Sequence, residues 1–133
     1  MTKVQDVMSK PVVTVEESSN GYDIVRELMN RDIGCIVVTK GNEVVGIVTK
    51  GDVLRETIMK KADPQKTPAS EIMSRPVVTI DPGVTLEEAT ETMSKNNVSK
   101  LPVVKDQKLV GIITSSDLIR KEGRKKLSKK DEI

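Results

Sequence analysis

The sequence predicts an α+β protein: two β-α-β-β-α repeats packed sheet to sheet with pseudo-twofold symmetry. Three observations carry that prediction. The chain matches itself without a gap at an offset of 65 residues, so that Met8-Ser9-Lys10-Pro11-Val12-Val13-Thr14-Val15 returns as Met73-Ser74-Arg75-Pro76-Val77-Val78-Thr79-Ile80. Each copy alternates short β-branched runs with helical periodicity. The whole chain has 133 residues, and a unit of about 60 residues buries little surface alone, which favours two copies packed on a shared core.

The first repeat, residues 1–60, opens with Pro11 ahead of a strand over Val12 to Val15. Asn20 then caps a helix whose apolar stripe is Ile24, Val25, Leu28 and Met29. Two β runs flank the hairpin turn Lys40-Gly41-Asn42-Glu43, and a last helix starts after Thr49. Residues 61–67, outside the matched stretches and containing Pro64, read as a linker. The second repeat, 68–122, keeps the order. A strand runs over Val77 to Ile80, Thr85 and Glu88 spell a capping box, and Val84, Ala89 and Met93 supply the stripe. The turn is Lys105-Asp106-Gln107-Lys108, with a final helix after Thr114 and a basic polar tail over 123–133.

Composition excludes more than it includes. Hydrophobic residues at 36% and charged residues at 32% describe a soluble globular chain. No apolar run approaches the ~20 residues of a membrane span and the start lacks a signal-peptide stretch, so the expected compartment is cytoplasmic. His, Trp and Phe are absent, and Tyr22 and Cys35 stand alone in their types. That removes histidine triads, the usual base near neutral pH and His/Cys metal sets, so no enzyme, metal or catalytic cofactor is expected. Cys35 cannot form an internal disulfide, and within Ile33-Gly34-Cys35-Ile36-Val37-Val38 it reads as a buried, inert thiol. Base-stacking platforms for single-stranded nucleic acid are missing too.

The strongest chemical signal is the doubled segment Gly46-Ile47-Val48-Thr49-Lys50-Gly51-Asp52 and Gly111-Ile112-Ile113-Thr114-Ser115-Ser116-Asp117. A strand ends, a hydroxyl follows, and a carboxylate falls on the first helical turn. Thr-x-x-Asp is a variant of the capping box, so one copy needs no function beyond satisfying free N–H groups. Two copies, each with its glycine, point further. A helix start favours a polar or anionic tail, and a fixed carboxylate accepts two hydrogen bonds from a ribose diol.

These segments, with the two Met-Ser-Lys/Arg-Pro-Val-Val-Thr runs and Val98-Ser99-Lys100-Leu101-Pro102-Val103-Val104, resemble the cystathionine-β-synthase (CBS) domain, here as a tandem pair or Bateman module. The resemblance extends from about Val4 to Arg120. It implies a stand-alone regulatory sensor that binds AMP, ADP, ATP or S-adenosylmethionine in two clefts between the repeats. One site is expected to join Thr49 and Asp52 to Pro76, Val77, Val98, Ser99 and Lys100. The other is expected to join Ile112, Thr114, Ser116 and Asp117 to Pro11, Val12, Ile33, Gly34 and Cys35. Gly34-Cys35-Ile36-Val37 stands where the second copy has Ser99-Lys100-Leu101-Pro102, so a cation faces one ligand only, as a phosphate contact or a solvated strand-edge lysine.

Weaker signals fall away. Gly41 and Gly46 have phosphate-loop spacing, but Ile47 and Val48 occupy the Lys and Ser/Thr positions. Asn97-Val98-Ser99 is an accidental sequon in a chain without an export signal. Arg55 and Arg120 read as exposed helix arginines. A homodimer is expected through apolar helix faces built from Val53, Leu54, Ile58 and Met59, and from Leu118 and Ile119. Two rival readings stay open: a dimerisation scaffold whose Thr and Asp only cap helices, and a nucleic-acid-associated regulator using Lys121, Arg124, Lys125, Lys126, Lys129 and Lys130.

Overall fold

The computed structural model describes residues 1–120, so the basic tail of the sequence reading lies outside the described residues. In chain order the elements are α1 (Val4–Val7), β1 (Thr14–Glu16), α2 (Gly21–Arg31), β2 (Cys35–Lys40), β3 (Glu43–Thr49), α3 (Lys50–Glu56) and a 3-10 turn (Pro64–Lys66). Then come α4 (Ala69–Ile72), α5 (Leu86–Asn96), β4 (Lys100–Lys105), β5 (Lys108–Thr114) and α6, a helix over 115–120. They form two compact units: Val12–Val77, and Met1–Pro11 together with the chain from Val78 onward.

In the Val12–Val77 unit the sheet order is β1-β2-β3, with β1 parallel to β2 and β3 antiparallel to it. Parallel pairing of β1 and β2 needs a crossover, and α2 supplies it. The Asn20 side chain accepts from Asp23 N–H at 2.9 Å to start that helix, and Asp32 in the left-handed region (φ 51°) ends it. Ile24 and Leu28, one turn apart, bury against Ile36, Val38, Val48 and Val53. The turn between β2 and β3 needs a positive φ, which Gly41 provides at 62°.

The other unit holds α5, the β4-β5 hairpin, α6 and α1. Its expected strand over Val77 to Ile80 shrinks to a single parallel bridge, Ile80 to Val103. Proline explains the loss. In the first repeat Val37 N–H donates to Val13 O at 3.2 Å, but the position matching Val37 is Pro102, which has no N–H to offer. Only the later bonds survive, Ile80 N–H to Pro102 O at 3.0 Å and Val104 N–H to Ile80 O at 2.9 Å. The expected capping box of α5 also forms by half. Thr85 Oγ1 accepts from Glu88 N–H at 3.2 Å, while the backbone of Thr85 bridges Lys3 and Leu86 N–H donates to Thr2 O. The leader thus supplies what the Glu88 carboxylate was expected to give.

That leader belongs, in sequence, to the first repeat. A four-residue helix has no stability of its own, so α1 depends on packing. Val4 is fully buried with Ile80, Ala89, Met93, Leu101, Val103 and Ile113, and its N–H donates to Val84 O at 2.9 Å. The matching helix α4 precedes the second repeat yet buries Ala69 and Ile72 beside Ile24 and Leu28, with Ala69 N–H donating to Ser19 O at 2.7 Å. The segment 61–67 is ordered in the same unit: Thr67 O accepts from Gly21 N–H at 2.9 Å. Each unit therefore has its own core, and each core is built from both repeats.

After each short helix the chain runs along the open edge of a hairpin. Ser9 and Ile112 exchange two backbone bonds of 2.9 and 3.1 Å, and Ser74 N–H donates to Ile47 O at 3.0 Å. The neighbouring glycines make room for the preceding methionines. A Cβ on Gly111 would lie 2.5 Å from Met8 Sδ, and one on Gly46 would lie 2.5 Å from Met73 Sδ and 2.9 Å from Met73 Cβ. The doubled glycine thus has a packing reason independent of any ligand.

Of the apolar helix face expected from sequence, Leu54, Ile58, Met59 and Ile119 are exposed. Val53 is buried and Leu118 packs on its unit's core, because in each helix they point back at the sheet. Gly46→Ala should destabilise the protein by roughly 1–3 kcal/mol, since the clash reaches Met73 Cβ and not only its flexible end. Thermal unfolding of Gly46→Ala, and of the same change combined with Met73→Ala, checks this: the second background should recover part of the loss. An unchanged midpoint for Gly46→Ala would contradict the packing account.

Candidate functional site

Each hairpin ends by turning directly into a helix, and the residue at the junction is the motif threonine. Thr49 caps α3 with its hydroxyl accepting from Asp52 N–H at 3.2 Å, and Asp52 Oδ2 accepts from Thr49 N–H at 2.9 Å. Both halves of a capping box are present. Thr114 and Asp117 repeat it: Thr114 Oγ1 accepts from Asp117 N–H at 3.3 Å, and Asp117 Oδ2 accepts from Thr114 N–H at 2.9 Å. The Thr114 hydroxyl also donates to the same Oδ2 at 3.1 Å.

The carboxylates are deeply placed, Asp52 7% and Asp117 6% exposed. Burying a carboxylate costs several kcal/mol unless partners replace its water. Here the partners are the threonine amide, the helix start and an arginine one turn on. Arg55 Nη2 donates to Asp52 Oδ1 at 2.5 Å, and Arg120 Nη2 donates to Asp117 Oδ1. The guanidinium side chains are 60% exposed, so each pair joins a buried acceptor to a solvated donor. Read from sequence as plain exposed arginines, they are exposed but engaged. The signal was present, because both stand three residues after a doubled Asp at the same 65-residue offset. Arg55 Nε also lies 3.7 Å from Glu56 Oε1, and the Lys60 ammonium bonded to Glu56 holds that carboxyl below its ordinary range.

Strand register sets what stands beside each threonine. Cys35 lies opposite Thr49, and Lys100 lies opposite Thr114. Directly opposed residues share one face of a hairpin, so the thiol and the ammonium occupy matching positions. Ser99 O accepts from Ser115 N–H at 2.8 Å, tying the start of β4 to α6. Ile33 and Val98 follow the left-handed residues Asp32 and Asn97 that end α2 and α5, which gives the sequon asparagine a helix-ending role.

The Val12–Val77 unit contains Thr49, Asp52, Pro76 and Val77, together with Val12, Ile33, Gly34 and Cys35. The other unit contains Ile112, Thr114, Ser116, Asp117 and Pro11, together with Val98, Ser99 and Lys100. Pro11, Gly34, Pro76, Ser99 and Ser116 are exposed, while Val12, Val77, Cys35, Lys100, Thr49 and Thr114 are half-buried. Cys35 is therefore less hidden than its apolar neighbours suggested. Among the described residues no buried side-chain polar atom lacks a hydrogen bond, and no group of His, Cys, Asp and Glu is arranged to hold a metal ion. No helix among them is long and apolar enough to cross a membrane.

Two α+β repeats, each ending a hairpin in a Thr-x-x-Asp cap, define a tandem regulatory-domain architecture, and comparison with known proteins gives it a family. The CBS domain model matches residues 4–58 and again 69–123; the chain belongs to the CBS-domain family. It is 31% identical to the CBS domain-containing protein YhcV of Bacillus subtilis over 118 residues, covering 89% of this chain and 84% of that one. It is 33% identical over 117 residues to the uncharacterized protein MJ0450 of Methanocaldococcus jannaschii, covering 86% of this chain but 62% of the relative's length. Among solved structures, the CBS domain pair of protein MJ0100 in complex with 5′-methylthioadenosine and S-adenosyl-L-methionine matches with a TM-score of 0.83 and 31% identity, over 93% of this chain and 98% of that one.

Proposed function

We propose that this CBS pair is a non-catalytic sensor of adenosine-containing ligands, AMP, ADP, ATP or S-adenosylmethionine. One observation carries the reading: the same buried carboxylate, fixed by the same threonine amide and the same arginine, stands at the helix start of both hairpins. In this reading Asp52 and Asp117 accept the ribose diol, and Thr49 and Thr114 hold them in place. Ile112, Val77, Val98 and Val12 offer aliphatic surface to the base. Pro11, Pro76, Ile33, Gly34, Ser99 and Ser116 complete the contacts through backbone and small side chains. Lys100 gives a charged tail a cation where Cys35 gives none. The likeness to a CBS pair solved with two adenosine compounds supports the choice of ligand class. The absence of histidine from the sequence supports a binding role over a catalytic one. A cytoplasmic setting follows from the same ligands.

Signalling would proceed by population shift, a ligand favouring one arrangement of the chain that a downstream protein reads. The exposed Leu54, Ile58 and Met59 support a homodimer, since apolar helix positions clustered near one helix end favour a covered face. Light scattering at high micromolar concentration should give twice the chain mass of 14.6 kDa. The monomer mass under those conditions would exclude the dimer.

Ribose binding separates from helix capping at Asp117. Asp117→Asn should keep the helix start, because an amide oxygen also caps, yet lose charge-assisted bonds to the diol. The cost is roughly 1.5–3 kcal/mol, or about tenfold to a hundredfold in adenosine affinity. A deoxyribose analogue should reproduce much of that loss with the unmutated protein and add little with Asp117→Asn. Equal binding of adenosine by both proteins would remove Asp117 from the ribose site. No binding of any adenosine ligand at millimolar concentration would leave the scaffold role in its place.

A further inference from the structure

The two carboxylates keep unequal numbers of acceptor positions free. A carboxylate offers about four. Among the described residues Asp117 fills three, with the Thr114 N–H and hydroxyl on Oδ2 and the Arg120 guanidinium on Oδ1. Asp52 fills two, with Thr49 N–H on Oδ2 and Arg55 on Oδ1. A vicinal diol donates two hydrogen bonds, so Asp52 accommodates it as it stands and Asp117 must release a partner. The Thr114 amide is fixed by the strand-to-helix junction. Its hydroxyl also receives Asp117 N–H, so turning it away gives up the cap. Arg120 sits on a side chain 60% exposed and moves into water at little cost.

Resting on the ribose-binding reading above, we infer that Arg120 is the group a diol displaces from Asp117, and that this exchange makes Arg120 a specificity-determining residue. It competes with an uncharged nucleoside. Once released, it gives an unpaired guanidinium to an anionic group on the ligand, such as a 5′-phosphate. The first repeat lacks this dependence for two reasons: Asp52 has a free position on each oxygen, and Arg55 has Glu56 as a second carboxylate at 3.7 Å. The residue following Arg120 in sequence is Lys121, which offers no such substitute.

The test is a ¹H–¹⁵N NMR titration of the full chain with adenosine and with AMP, following the amides of Thr49 and Thr114. Each donates to its own carboxylate, so the two motifs report separately. Arg120→Gln should tighten adenosine at the Thr114 signal by about two- to fivefold, the worth of an exposed ion pair. It should also lower the preference for AMP over adenosine there. Arg120→Lys should retain most of that preference, and Arg55→Gln should change the Thr49 response less than Arg120→Gln changes the Thr114 response. Equal weakening of both ligands by Arg120→Gln would show that the arginine merely orients the carboxylate and would overturn the exchange. So would unchanged affinities at Thr114 while both ligands bind. No response of either amide in the unmutated protein would overturn the ribose reading itself, and the exchange with it.

Discussion

The structure depends on the docking of a short leader segment along the open edge of each hairpin. Ser9 pairs with Ile112 and Ser74 with Ile47, and the glycine beside each pairing lets a methionine lie against bare backbone. A strand with an uncovered edge is a template for unwanted pairing, and the leader removes that edge. The same strand runs two residues further into the threonine that caps the following helix. Holding the edge therefore also holds Thr49 and Thr114, and through them the carboxylates. Because the leader of each repeat is placed in the unit containing the other repeat's hairpin, neither repeat completes its core from its own sequence.

The chemistry follows from that rigidity. A carboxylate held at 7% or 6% exposure is tolerable only where donors meet it, and three kinds of donor do so here: a backbone amide, a hydroxyl in one copy, and a guanidinium reaching in from solvent. The amide is permanent because the strand and helix on either side fix it. The guanidinium is held by one flexible side chain and is the replaceable member. A site with one fixed and one exchangeable donor suits reversible binding of a polyol better than either a fully solvated or a fully sealed carboxylate.

Local features were legible in the sequence where one segment decides them. Asn20 and Thr85 were recognisable as caps, the turns at Gly41 and Asp106 as hairpins, and Thr-x-x-Asp as the start of a helix, because each depends on residues three or four apart. Family membership was legible for a related reason, since two copies of several short motifs are far more specific than one. Features set by distant pairing were not. The shortened strand before Ile80 follows from Pro102, whose missing N–H matters only once its parallel neighbour is known. The leader exchange was invisible because the 65-residue periodicity is identical whether Val4 packs with its own repeat or with the other. The arginines were read by their exposure on a helix, which was right, but exposure of the stem does not decide where a guanidinium ends.

The most direct test of the leader exchange is the set of proton–proton nuclear Overhauser contacts made by Met8 and Met73. Docking as described predicts contacts from the Met8 side chain to the Hα protons of Gly111, and from Met73 to those of Gly46. Contacts from Met8 to Gly46 and from Met73 to Gly111 would mean that each leader lies on its own repeat's hairpin, and would contradict the account.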